Sequence, residues 1–205
     1  MSIVKLNNRG VRSATAFGSI TGLGSMTFLS KQTASSSSTI SFTSGIDSTY
    51  KEYLFTFNNI HPSADSAEFA FQGDTGTNTS YNQTITSTFF KSQHRQDDVV
   101  ATLAYDTGAD QAQGTAFQRL GFNIDNGNED NLSGYLHLFD PSSSTFAKHF
   151  LATCNYTYDG DGDEQYSFNT FVGGYFNTTT AITRLQYKFA SGNIDAGDIC
   201  LYGIK

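Results

Sequence analysis

From Met26 onward, apolar and polar residues alternate over short runs, the period of strands that bury one face. "MTFLSKQ" (26–32) and "TISFT" (39–43) read as two strands, and "TASSSS" between them predicts a hairpin. "TYKEYLFTFNNI" (49–60) puts Tyr53, Phe55 and Phe57 on one face, opposite Tyr50, Glu52, Leu54 and Thr56, and breaks at His61-Pro62. "AEFAFQ" (67–72) and "QTITSTFFKS" (83–92) follow, separated by the loop "GDTGTNTSYN". Residues 93–115 are the least strand-like stretch and predict a long loop or a short helix.

Regular alternation returns in "AFQRLGFNID" (116–125) and "LSGYLHLFD" (132–140), which the turn-rich "NGNEDN" joins as a predicted hairpin. "TFAKHFLATCNYTY" (145–158) and "QYSFNTFVGGYF" (165–176) flank the turn "DGDGDE". "AITRLQYKFAS" (181–191) and "DICLYGI" (198–204) close the chain. Ten or eleven strands, no amphipathic helix and no fixed-period repeat predict an all-β fold. The expected architecture is an antiparallel two-sheet β-sandwich, jelly-roll-like, over residues 26–205. Residues 1–25 lack this alternation. Gly10, Gly18, Gly22 and Gly24 interrupt isolated apolar residues at Val11, Phe17, Ile20 and Leu23, which predicts an extended N-terminal arm.

Composition sharpens this picture. The chain has 205 residues, with 18 Phe, 11 Tyr, no Trp and only 15% charged residues, so the core is aromatic and helix-surface residues are scarce. A formal net charge of −7 argues against nucleic-acid binding. That charge is unevenly placed: Lys5, Arg9, Arg12 and Lys31 all precede the first acid, Asp47. A basic leader on an acidic body suits an arm that docks on an acidic neighbour. Cys154 and Cys200 sit in alternating segments and read as buried thiols rather than a disulfide. No secretory hydrophobic region opens the chain and no run is long and apolar enough to span a bilayer, so a soluble protein starting near Met1 is expected.

Candidate chemistry is sparse. Asp159, Asp161 and Asp163 crowd a glycine-rich turn, a weak candidate for a hard cation, but the EF-hand spacing fails at Glu164 and Thr170. His137 and His149 alternate with apolar strand residues and have no zinc-type spacing, so cross-strand packing or an interface hydrogen bond is expected of them. No nucleophile elbow, paired carboxylates or phosphate-binding glycine loop appears, so neither an enzyme nor a cofactor is expected. Tyr81, His94, Arg95 and Tyr105 lie in predicted loops and are the candidates for surface binding.

The segments "KLNNRGVRSATAFGSITGLGSMTFLSKQTASSSSTISF", "YKEYLFTFNNIHP", "LHLFDPSSSTFAKHF" and "FASGNIDAGDICLYGIK" carry a resemblance. They resemble marine-phage, cyanophage-like virion structural proteins of the β-rich head-decoration or tail-fibre-associated type. The resemblance runs from Lys5 to Lys205 and implies a virion component, present in many copies, with no catalytic residues to carry over. It implies capsid, fibre or tail proteins as partners, with a homo-oligomer, by analogy a trimer. The expected attachment residues are Lys5, Leu6, Arg9, Val11, Arg12, Phe17, Ile20 and Leu23. The alternative is a receptor- or glycan-binding module of a tail fibre, using the loops 73–82, 93–115 and 125–131 around Tyr81 and Tyr105.

Overall fold

The computed structural model describes residues 26–160 and 164–205. Its strands are β1 (Met26–Thr33), β2 (Ile40–Phe42), β3 (Glu52–Pro62), β4 (Ala67–Thr75), β5 (Ile85–Arg95) and β6 (Ala101–Tyr105). β7 (Gln118–Ile124), β8 (Leu132–Phe139), β9 (Lys148–Gly160), β10 (Glu164–Phe176), β11 (Ile182–Phe189) and β12 (Ile194–Ile204) complete the order. They form two antiparallel sheets: eight strands in the order β1-β12-β3-β8-β9-β10-β5-β6, and four in the order β2-β11-β4-β7.

This topology contains a jelly roll with two additions. Without β5, β6, β9 and β10, the orders become β1-β12-β3-β8 and β2-β11-β4-β7, an eight-strand, two-sheet roll whose successive strands mostly alternate between sheets. β5 pairs with β6 and β9 with β10, so the additions are two hairpins. They attach to the same edge, β9 on β8 and β5 on β10, and widen only one sheet. The all-β sandwich expected from alternation is the fold observed; the expected arm, residues 1–25, lies outside the described residues.

Two expected hairpins do not form. β1 pairs with β12 and β2 with β11, in opposite sheets. β7 pairs with β4, while β8 pairs with β3 and β9. Alternation records which face a strand buries, and strands of both sheets bury a face in the same core, so the pattern cannot name the partner. Residues 93–115 hold neither a helix nor one long loop. β5 continues to Arg95 and turns into β6, whose residues are exposed at every position and so show no alternation.

Between the sheets the core is aromatic. Phe55 and Phe57 on β3 face Phe69 and Phe71 on β4, all buried, as their two-residue spacing requires. Tyr187 on β11 sits among them, its ring centroid 5.3 Å from Phe57, 5.7 Å from Phe55 and 6.0 Å from Phe69. Such ring pairs contribute about 0.5–1.5 kcal/mol each beyond burial of their area. Both cysteines are buried free thiols, and burial pushes the Cys154 thiol far above its ordinary value, which keeps it protonated and unreactive. Among the described residues, no helix is long and apolar enough to cross a membrane.

Candidate functional site

The outer face of the eight-stranded sheet stands apart from ordinary protein surface. Opposite parity on β10 sends Phe168 into the core at 4% exposure and Phe171 outward at 42%. Neighbouring strands repeat the choice in register. Phe171 is paired with Phe90 on β5 and with Thr153 on β9; Phe90 is paired with Tyr105 on β6, and Thr153 with Tyr135 on β8. One row therefore runs Tyr105–Phe90–Phe171–Thr153–Tyr135 across five strands, with Tyr105 packed edge-on against Phe90 at 5.3 Å between ring centroids.

The adjacent row continues it to the far edge. Thr88, Gly173, Leu151, His137, Leu54, Tyr202 and Phe28 follow one another through successive pairings. Phe28 and Tyr202 close this end with an edge-on contact at 5.7 Å. Of ten exposed large apolar side chains among the described residues, eight lie on strands of this sheet; only Val99 and Phe146 do not. Scattered exposed apolar residues are normal on proteins, whereas a contiguous strip in register makes this face the candidate interaction surface.

The strip deepens into a groove of about 510 Å³ where the inserted hairpins meet β8 and β3. Phe90, Tyr135, His137, Phe139, Leu151 and Phe171 line it. Gly173 creates the recess: a Cβ there would stand 3.2 Å from Leu151 Cδ2, so any side chain would fill the space. Polar groups are few. Thr88 and Thr153 contribute hydroxyls, and His137 Nδ1 hydrogen-bonds to the Glu52 carboxylate at the β3 end. The imidazole is packed between neighbours, edge-on to Tyr135 at 5.4 Å and stacked on Phe139 at 6.0 Å. His149 packs beside Tyr175 at 5.7 Å, the cross-strand role its alternation predicts.

The sequence-predicted binding residues fall elsewhere. Tyr81 is a correction: it is 6% exposed, so its ring offers no face for stacking. Its backbone N–H donates to the buried Asp74 carboxylate at 2.8 Å, which pins the loop inward. His94 and Arg95 stand at the tip of the β5–β6 hairpin and pair locally, with Asp98 at 3.0 Å and Asp97 at 2.7 Å. The Arg95 guanidinium and the Val99 N–H hold the Asp97 carboxyl below its usual range. Of the four, only Tyr105 reaches the strip, and its hydroxyl donates to Asp110.

Among the candidate cation ligands, Asp161 and Asp163 lie outside the described residues, and Asp159 is placed by its backbone alone, opposite Gln165. Among the described residues, no group of three or more acidic, histidine or cysteine side chains is placed to hold a metal. Lys5, Leu6, Arg9, Val11, Arg12, Phe17, Ile20 and Leu23 lie outside them too. Sequence reasoning missed the strip, though half of its signal was present. Parity puts Phe171 opposite Phe168, but only the pairing order assembles Phe171, Phe90 and Tyr135 into one row.

Compared with known protein families, curated proteins and solved structures, the chain matches none.

Proposed function

We propose that this chain is a non-enzymatic structural subunit of a phage virion, docking onto the capsid or a fibre as one of many copies. The observation that carries the reading is the aromatic strip on the outer face of the eight-stranded sheet. Fully burying a side chain of the Phe or Leu class contributes roughly 1.5–3 kcal/mol. Phe90, Tyr135, Leu151 and Phe171 are left partly outside that gain, side by side, and a partner surface would recover it. A catalytic cleft or glycan site sets convergent polar groups in its pocket, whereas this groove presents mainly rings and methyls. The virion itself rests on the sequence resemblance and localises the protein to assembled particles.

Particle incorporation is the test. Virions assembled with the Phe171→Asp variant in place of the parent chain should contain little of it by mass spectrometry of purified particles. The variant should still fold, since position 171 faces outward. Incorporation at the parent level would contradict the reading.

A further inference from the structure

The strip and the first 25 residues complement each other in three respects. The first is reach. The chain enters the sheet at Met26, on the edge strand β1, and Met26 lies in the row that pairs with Ile204. The groove begins two strands further along, at Glu52 on β3, and extends to β5. At about 4.8 Å between strands that is roughly 10–30 Å from β1, and residues 23 to 11, three to fifteen residues before Met26, reach up to roughly 10–50 Å when extended. The segment is long enough to leave its own body and cross the same groove on a neighbour.

Charge is the second respect. Residues 1–25 hold Lys5, Arg9 and Arg12 and no acid, while the remainder holds nine Lys and Arg against nineteen Asp and Glu. A segment of this composition is attracted to another copy's body, although two acidic bodies repel each other. The third is side-chain size. Phe17, Ile20 and Leu23 are separated by segments containing Gly18 and Gly22 and followed by Gly24, so each large side chain can enter a recess while its neighbours let the backbone approach. The hollow over Gly173, walled by Leu151, Phe171 and Phe90, is a recess of that kind.

We infer that the groove on the outer face of the eight-stranded sheet is the acceptor for residues 11–23 of a second copy, with Lys5, Arg9 and Arg12 held by acidic groups of the accepting body. The inference rests on the reading of the chain as a many-copy structural subunit. Donor and acceptor are different surfaces, so the contact is heterologous and links copies head to tail, in a closed ring or a row. Each copy gives one segment and receives one.

Photo-crosslinking in the full chain tests it. Benzoylphenylalanine replaces Tyr135, or Leu151 in a second preparation; isotope-labelled and unlabelled copies are mixed, irradiated and digested. The expected products join the groove position to peptides from residues 11–23 across the isotope boundary. Association, followed by sedimentation, should weaken at least tenfold for Phe17→Asp, and equally for Gly173→Leu, which fills the recess. Crosslinks confined to a copy's own segment, crosslinks to a second copy's strands, or no crosslinks would each overturn the inference. If Phe171→Asp disrupts association while Phe17→Asp does not, the groove has another occupant and only this inference fails. If neither changes association or particle incorporation, the structural-subunit reading fails with it.

Discussion

The two outer faces of the sandwich solve the same problem in opposite ways. On the four-stranded sheet, outward residues are mostly polar and mostly paired within the chain, although the buried Arg184 Nε has no hydrogen-bond partner among the described residues. Arg119 Nε lies 2.8 Å from Glu68 Oε2 and its Nη1 donates to Gly108 O; Lys188 Nζ sits 4.3 Å from the centre of the Phe117 ring; Gln186 donates to Ser41. Gln72 is covered outright and donates to Gln83 O and Ala116 O. On the eight-stranded sheet the corresponding positions carry Phe90, Phe171, Leu151 and Tyr135, and the hydrogen bonds beside them, Glu52–His137, Tyr105–Asp110 and Thr88 to Gly173 O among them, leave these side chains exposed. A face that pairs most of its polar groups internally leaves little for a partner to cover. A face of exposed rings leaves apolar area that a partner would cover.

The inserted hairpins explain where the difference arises. The jelly roll alone would end its larger sheet at β8. Adding β9, β10, β5 and β6 extends the inner face over Phe122, Tyr156 and Phe168, which pack together with ring centroids 5.4–6.4 Å apart. The same four strands supply most of the outer strip. One insertion thus enlarges the core on one side and makes the groove on the other.

The comparison can be broken most severely from the inside. Phe69→Ala in the core should cost about 3–5 kcal/mol of folding stability, while Phe171→Ala on the strip should cost less than about 1 kcal/mol, both read from urea unfolding. Equal losses would mean that the strip is part of the folding core. Tyr187→Phe should go the other way. The Tyr187 hydroxyl is buried without a hydrogen-bond partner among the described residues, so removing it should raise stability by about 1 kcal/mol. A loss of stability in that variant would reveal a partner for the hydroxyl.

On the charged face, Arg119→Ala should lower stability by at most about 1 kcal/mol and leave self-association unchanged, because surface ion pairs are weak. A changed oligomeric state would move the docking surface to that sheet. The smallest effect concerns acid. Lys91 Nζ, 2.8 Å from Asp106 Oδ2, holds the Asp106 carboxyl below its usual range, with the Gly108 N–H assisting. A folded-state value below the unfolded one contributes stability that is complete above the unfolded value of about 3.9 and disappears as pH falls through the lower folded value. Asp106→Asn should therefore cost about 0.5–1 kcal/mol at neutral pH and nothing in strong acid, measured as paired urea midpoints. A cost independent of pH would exclude this ion pair as its cause.

The fold was largely legible in the sequence, for a physical reason. Strands that bury one face must alternate, as β3 and β11 do along most of their length; β6, exposed at every position, has no such pattern. Pairing was illegible where both strands face the same core, as with β1 and β2, since the jelly roll sends neighbours in sequence to opposite sheets. The aromatic strip was less legible still. Phe171 and Phe90 are far apart in sequence and meet only because the two inserted hairpins pair with each other. Tyr81 misled in the opposite sense. It sits in a polar, turn-rich loop, yet its backbone is tied to a buried carboxylate.

The central claim is that the aromatic strip exists for another protein surface and not for the fold. Sedimentation equilibrium of the full chain, beside the Leu151→Asp and Phe171→Asp double variant, tests it most directly. The account predicts an oligomer for the parent chain and a monomer of unchanged melting temperature for the variant. Equal masses for the two proteins would contradict it.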